Sequence, residues 1–189
     1  KYRTLYLAFL PINMPEEPYG IESIYDEQYE ATKDSYEQTI NSSNLVRITN
    51  QVEYLNALNN SNYAVFFVAH GNTSAVFNIE EVKNGLSNLG LKCKFIESPE
   101  NSYVAAIVGG EVVEEESSAE KINYVGSFRN RHSIYTLQSS GINLAASSSI
   151  LVEGGQYSRS VAGLNIAVYD LNTYKIIDKV TFQGANLLR

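Results

Sequence analysis

The chain has 189 residues, enough for one domain with a substantial core, and its 44% hydrophobic and 19% charged residues lie far from the composition of a disordered chain. Its formal net charge of -7 and pI near 4.9 leave no basic surface for a phosphate backbone, which sets nucleic acid aside as a partner. The longest apolar runs, at 63–69 and 103–109, fall well short of the roughly 20 residues a bilayer crossing needs, so this chain is not expected to span a membrane, although a parent protein could.

The chain begins at Lys1 without methionine and without a basic segment, apolar stretch and small-residue cleavage site in succession, which reads as a piece of a larger protein. Fourteen tyrosines, no tryptophan and abundant Asn, Ile and Ser suggest an AT-rich bacterial genome. Residues 1–9 form a strand candidate that stops at Pro11. Pro15, Pro18 and Gly20 then impose a loop, because proline lacks the N–H that either regular element needs. At 26–40 a polar segment carries Tyr29, Tyr36 and Ile40 on one helical stripe continued from Tyr25.

Thr49 is placed to cap a helix with Val52, Leu55 and Leu58 on one face, ended by the polar run Asn59-Asn60-Ser61-Asn62. The continuous apolar run at 63–69 has the length of a strand buried on both faces and is the expected centre of the sheet. Asn78 is placed to cap the next helix, whose Ile79, Val82, Leu86 and Leu89 repeat at helical spacing, with Glu80 and Glu81 at its positive end and Gly90 at its stop. Strands are then expected at 92–96, 103–109, 122–128, 133–138, 149–152, 164–169 and 175–182, the last two joined as a hairpin by residues 170–174. Helices early and strands late predict a single α+β domain. Its blocks are an N-terminal extension at 1–48, a helix-strand-helix-strand block at 49–110 and a strand-rich block at 111–189.

Residues that could carry chemistry are few. Cys93 has no partner for a disulfide within the chain and reads as an inert structural thiol. Neither His70 nor His132 has a second ligand at a metal-binding spacing. His70 ends the buried strand, where either a structural role or a site is compatible with its position. His132, after Arg129 and Arg131, reads as part of a solvated turn. The serines at 147–149 lack the Gly-x-Ser-x-Gly elbow, and Gly109-Gly110 lacks a phosphate-binding loop pattern. The acidic run at 111–116 does not match a calcium loop and reads as a solvated edge or hairpin. No catalytic residue, metal ligand or cofactor is therefore expected.

Two blocks carry a likeness. The run 61–69, the helix 79–90 ending Leu86-Ser87-Asn88-Leu89-Gly90 and the strand 103–110 ending Val108-Gly109 make one; Gly163-Leu164-Asn165 and the hairpin that follows to Phe182 make the other. Together they resemble the interleukin-like EMT inducer domain over more than half the chain. In that family the hairpin precedes the helix and here it follows, so this chain reads as a circular permutation or as ending within a second copy.

The resemblance implies two small, mostly antiparallel sheets lined by two or three short helices, an extracellular location and no catalysis. Family members include secreted cytokine-like proteins, and a similar domain forms the stem of a glycosyltransferase acting on O-mannosyl glycans, where it binds a sugar containing GlcNAc. The implied function is a non-catalytic, carbohydrate-binding recognition module of a bacterial surface or membrane protein, with a glycan or cell-surface protein as partner; the alternative is a structural or protein-interaction domain. By position, a ligand site would use His70, Asn72, Asn101, Tyr103 and Arg159, where the ends of the buried strand and the Tyr103 strand meet the late hairpin.

Overall fold

A computed structural model describes residues 44–94, 98–144 and 147–189, all within the unit Ser42–Arg189. The strand read at 1–9, the proline loop and the helix read at 26–40 lie outside the described residues. Helix α1 is Gln51–Ala57, and its cap is Asn50 rather than Thr49: the Asn50 side-chain oxygen accepts from the N–H groups of Val52 and Glu53 at 2.9 and 3.0 Å. That oxygen must sit one residue before the first helical turn to reach those donors, and only Asn50 does. A short helix α2, Ser74–Phe77, precedes α3, Glu80–Asn88. Asn78 closes α2 instead of capping α3, which starts after Ile79 with no side-chain cap and keeps Glu80 and Glu81 against its positive end.

The apolar run becomes β1, Tyr63–Gly71, buried along its whole length. Its two faces serve different cores. Tyr63, Val65, Phe67 and Ala69 pack with Tyr54, Leu55, Val82 and Leu86 of the helices, while Ala64, Phe66 and Val68 point the other way, onto Phe128, Tyr135, Leu137 and Ile150. Alternation along a strand is what divides them, and burial on both faces is why the sequence shows no polar positions there.

The remaining strands are β2 (Ser102–Val108), β3 (Glu111–Ser118), β4 (Ile122–Phe128), β5 (Ser133–Gly141), β6 (Ser148–Val152), β7 (Gly155–Gln156), β8 (Gly163–Asp170), β9 (Lys175–Gln183) and β10 (Asn186–Leu188). No strand forms over the described part of 92–96. Cys93 has φ 54, a left-handed conformation that ends an extended run, and the N–H groups of Lys92 and Lys94 donate to the Glu115 carboxylate at 2.7 and 3.1 Å rather than to a neighbouring strand.

The α+β expectation of two small sheets is overturned. The structure is mostly β: among the described residues ten strands form one curled sheet in the order β10-β9-β8-β1-β5-β6-β7, with β2 attached beside β1, β3 beside β2 and β4 beside β5, accompanied by the short helices α1, α2 and α3. Since Phe66 of β1 packs on Tyr135 of β5 and Ile150 of β6 although all share that sheet, the sheet must fold back on itself. The join is at the end of β1. β8 runs antiparallel along one edge of β1 from Tyr63 to His70. The other edge is divided: β2 takes Ala64 to Val68, and β5 then pairs in parallel with His70 and Gly71. A parallel pairing between distant segments leaves no local signature, so the pattern alone separates what the chain unites.

Where β2 and β5 part from β1, side chains stand in for the ladder. Ser139 Oγ donates to the carbonyl of Ala69 at 2.7 Å and accepts from Tyr103 N–H at 3.0 Å, and Ser102 Oγ accepts from Gly141 N–H at 2.9 Å. Gly141 admits no side chain, because a Cβ there would lie 2.2 Å from the Glu100 carbonyl oxygen. The late hairpin shares this sheet as expected, with β8 laddered to β1 on one side and to β9 on the other. On the outside of β9, Asp178 accepts from Tyr54 Oη at 3.1 Å and pairs with Arg189 at 3.0 Å, and Arg189 also reaches the carbonyls of Leu45 and Ile48, which ties α1 and the segment before it to the hairpin.

Two substitutions separate the core from the seam in urea unfolding. Phe67→Ala is expected to cost about 3–5 kcal/mol by opening a cavity in the fully buried helix-side core. Ser139→Ala removes little volume but strands the Ala69 carbonyl and the Tyr103 N–H, for an expected loss of roughly 1–3 kcal/mol; a near-zero effect would mean that the seam does not hold the sheet together.

Candidate functional site

Five residues were expected at a ligand site, and the structure distributes them unequally. His70 lies at the end of β1 with 9% of its surface exposed. Its Nδ1 is 2.8 Å from Ser148 Oγ of β6, across the inside of the fold. Burial pushes its pKa down, favouring the neutral imidazole. A serine at hydrogen-bond distance from a neutral histidine is two parts of a nucleophilic arrangement, but among the described residues nothing is hydrogen-bonded to the other ring nitrogen to orient it.

Asn72 is exposed and turns the chain into α2, its side-chain oxygen accepting from Ser74 N–H at 2.8 Å. Asn101 is half-buried in the turn before β2, with its N–H donated to the Ser98 carbonyl at 3.0 Å. Tyr103 is fully buried: its hydroxyl donates to Glu115 Oε1 at 3.2 Å and its ring meets Phe77 edge-on, with centroids 5.8 Å apart. Arg159 is half-buried in the segment leading to β8, beside Ser158, whose hydroxyl donates to the Ser148 carbonyl at 3.3 Å.

Strand register explains the outcome. His70 is level with Gly163 and faces the inner core with Phe66 and Val68, whereas Tyr103 belongs to the helix-side core with Ala105 and Ile107. The structure therefore brings His70, Asn72, Asn101 and Arg159 to one end of the sheet but puts His70 and Tyr103 on opposite faces. Glu115, read as part of a solvated acidic run, is likewise buried, because it receives the Tyr103 hydroxyl and the N–H groups of Lys92 and Lys94.

A different set of residues surrounds a cleft of about 560 Å³ between the end of β6, β7 and the β8–β9 hairpin. Tyr157 and Tyr174 contribute the aromatic wall, with the fully buried Tyr169 behind them, Val152 and Ile176 form the aliphatic floor, and Glu153, Lys175, Asp178 and Lys179 are the charged residues that line it. None of the five expected residues lines it. Its edge is held rigidly: Arg129 Nη1 donates to Ser133 Oγ at 3.1 Å and to Tyr169 Oη at 3.3 Å, and lies 3.5 Å from Glu153 Oε1. That carboxylate oxygen accepts in turn from the hydroxyls of Ser133 and Tyr169, at 2.5 and 3.3 Å. The Arg129 guanidinium also stacks over one face of Tyr174, 3.6 Å from the ring centroid.

Backbone geometry marks the same place. Among the described residues six non-glycines have positive φ, and three of them, Arg129 (φ 52), Glu153 (φ 50) and Tyr174 (φ 58), meet at this cleft. Each such residue costs conformational energy that its surroundings must offset, and ligand clamps are where such residues gather. For Tyr174 the support is visible: the Asp170 carboxylate accepts from the N–H groups of Asn172 and Thr173, at 2.8 and 3.1 Å, and the Tyr174 N–H donates to the Asp170 carbonyl at 2.9 Å. The residue is held out on the turn with 54% of its surface exposed. The sequence signal for this site was the turn chemistry around Asp170 and around Glu153-Gly154-Gly155, together with an abundance of tyrosine.

Among the described residues no group of three His, Cys, Asp or Glu side chains is placed to hold a metal ion, and no helix is long and apolar enough to cross a membrane. No protein-family model matches the chain, and no curated protein or solved structure gives a match to it.

The buried histidine gives a pH dependence of known sign. With the folded pKa below the unfolded value of about 6.5, the unfolded chain takes up this proton first as pH falls. Stability is therefore expected to be full above that value and to decline as pH drops from it toward the lowered folded pKa. Urea midpoints measured from pH 7.5 to 5.5 on the native chain and on His70→Gln are expected to show a steeper decline in the native chain. Equal slopes in both chains would remove His70 as the cause.

Proposed function

We propose that this chain is a non-catalytic recognition module that binds a carbohydrate in the tyrosine cleft, displayed outside the cell by a bacterial surface or membrane protein. The observation that carries the reading is the cleft itself, where the exposed Tyr174 ring and the half-buried Tyr157 stand beside a preset guanidinium and carboxylate. A pyranose offers an apolar C–H face with a rim of hydroxyls. Tyrosine rings suit that face, and the Arg129–Glu153 pair supplies fixed donors and acceptors for the rim.

Binding rather than bond cleavage is supported by how the carboxylates are used. Hydrolysis by a carboxylate pair needs two such groups flanking one bond. Glu153 is committed through Oε1 to Ser133, Tyr169 and Arg129, and Asp178, the other acid at the cleft wall, directs its oxygens to Tyr54 and Arg189 on the far side of β9, so the two acids do not flank one site. The likeness to the interleukin-like EMT inducer domain supports the extracellular assignment: its two blocks fall on β1, α3, β2 and on β8–β9, which are neighbours in the sheet.

A second reading, docking of another protein, rests on a separate surface. Val125 and Ile134 are 61% and 58% exposed on the outer side of β4 and β5, an apolar pair that the fold itself leaves uncovered.

Titration with oligosaccharides containing GlcNAc, followed by NMR, tests the first reading. Shifts are expected at Tyr157 and Tyr174, with a dissociation constant near 1 mM, or about -4 kcal/mol. Tyr174→Ala is expected to abolish them without unfolding the domain, since the ring is largely exposed. Absence of shifts at ~10 mM sugar, together with self-association or partner capture abolished by Val125→Ser, would transfer the function to the outer face of β4 and β5.

A further inference from the structure

We infer that the saccharide taken by this cleft is acidic, its anionic group received by Lys179; this rests on the carbohydrate reading above and narrows it. The chain as a whole is negative, with a net charge of -7, so an anionic ligand needs a local cation that no acid already holds. The cleft offers one. Glu153 is neutralised by Arg129 at 3.5 Å, and Asp178 by Arg189 at 3.0 Å with only 5% of its side chain exposed, so both acids at the cleft are already paired.

Lys179 is not paired. Lys175 and Lys179 both line the cleft and among the described residues neither ammonium has an ion-pair partner, but Lys175 lies opposite Asp170 in the ladder, on the face away from Tyr169, which leaves Lys179 as the cation directed at the aromatic wall. Strand register places Lys179 opposite Ala167, on the same face of the β8–β9 ladder as Tyr169, so its side chain leaves the strand on the side of the aromatic wall. Asp178, one residue earlier, leaves on the opposite side toward Tyr54. The alternation of a single strand thus sends its carboxylate out of the cleft and its ammonium into it. The bulge between Val168 and Tyr169 keeps Ile176 on the cleft side as well.

What remains is a concave surface with aromatic walls that bears an uncommitted positive charge on a negative protein, and such a charge concentrates anions locally. An ammonium is a compact point charge that accepts a carboxylate or a sulfate in any orientation, so the shared property of the ligand is its charge and not the geometry of one anion.

Isothermal titration of the whole chain with three matched oligosaccharides reads this out: one neutral and built of GlcNAc, one carrying a glucuronic acid carboxylate, and one carrying a sulfate. The acidic sugars are expected to bind roughly five- to tenfold more tightly than the neutral one at about 20 mM salt, and to lose most of that advantage at about 300 mM as screening removes the charge term. The variant Lys179→Gln, with its fold checked by circular dichroism, is expected to lose the advantage at low salt. A preference for one of the two acidic sugars identifies the anion. Equal affinity for neutral and acidic sugars overturns the inference and leaves the carbohydrate reading standing; no binding of any of the three overturns both. Acid preference that survives the variant places the charge elsewhere and overturns the assignment to Lys179.

Discussion

The division of one edge of β1 between two partners is the constraint on which the rest of this structure depends. A strand edge offers one row of donors and acceptors, and here β2 uses the first part of the row while β5 uses the last two residues in the opposite sense of chain direction. Neither partner can be extended without displacing the other, so the backbone groups left over at the fork must be satisfied by side chains. Ser102 and Ser139 do this, and Gly141 lets the two strands approach closely enough for it to work. Because β5 leads to β4, β6 and β7, those two residue pairs decide that four further strands fold back over Phe66 and Val68 and enclose the inner core.

That dependence explains which parts of the fold could be read from sequence. β1 was legible because burial on both faces removes every polar position from 63–69, and the β8–β9 hairpin was legible because Asp170-Leu171-Asn172-Thr173 is a turn by its own chemistry. α3 was legible from the spacing of Val82 and Leu86, although Asn78 proved to belong to the preceding turn. Two sheets were expected where there is one because the joining contact lies between residues 70 apart, such as Ser139 and Ala69, and serine carries no strand signal of its own. Cys93 shows the opposite error. Apolar neighbours suggested a strand, but a left-handed backbone and a carboxylate from Glu115 fix a turn there.

The site was less legible than the fold for a related reason. His70, Asn72, Asn101 and Arg159 are close along the end of the sheet, as strand order implies, yet Tyr103 faces away from His70 because neighbouring strands in register place them on opposite sides. The cleft depends instead on residues from β4, β6 and the hairpin turn, elements whose proximity follows only from the curl of the sheet. Arg129, Glu153 and Tyr174 share no sequence motif; what they share is a backbone conformation that tertiary contacts impose. Their mutual contacts fix one another's positions, Arg129 over Tyr174 on one side and against Glu153 on the other.

The acidic run at 111–116 takes on a further meaning from its place in the sheet. Among the described residues β3 pairs with β2 alone, and apart from the Glu115 carbonyl, which accepts from Lys94 Nζ, the outer row of such an edge strand is a template for a second chain. Glu111 and Glu116 are exposed along that strand, and Glu114 is half-buried. Two copies approaching there would oppose carboxylate to carboxylate at the spacing of paired strands, and the repulsion would act before any ladder could form. The run read from sequence as a solvated edge or hairpin thus lies along an edge strand, where like charges disfavour strand-by-strand growth into a fibre.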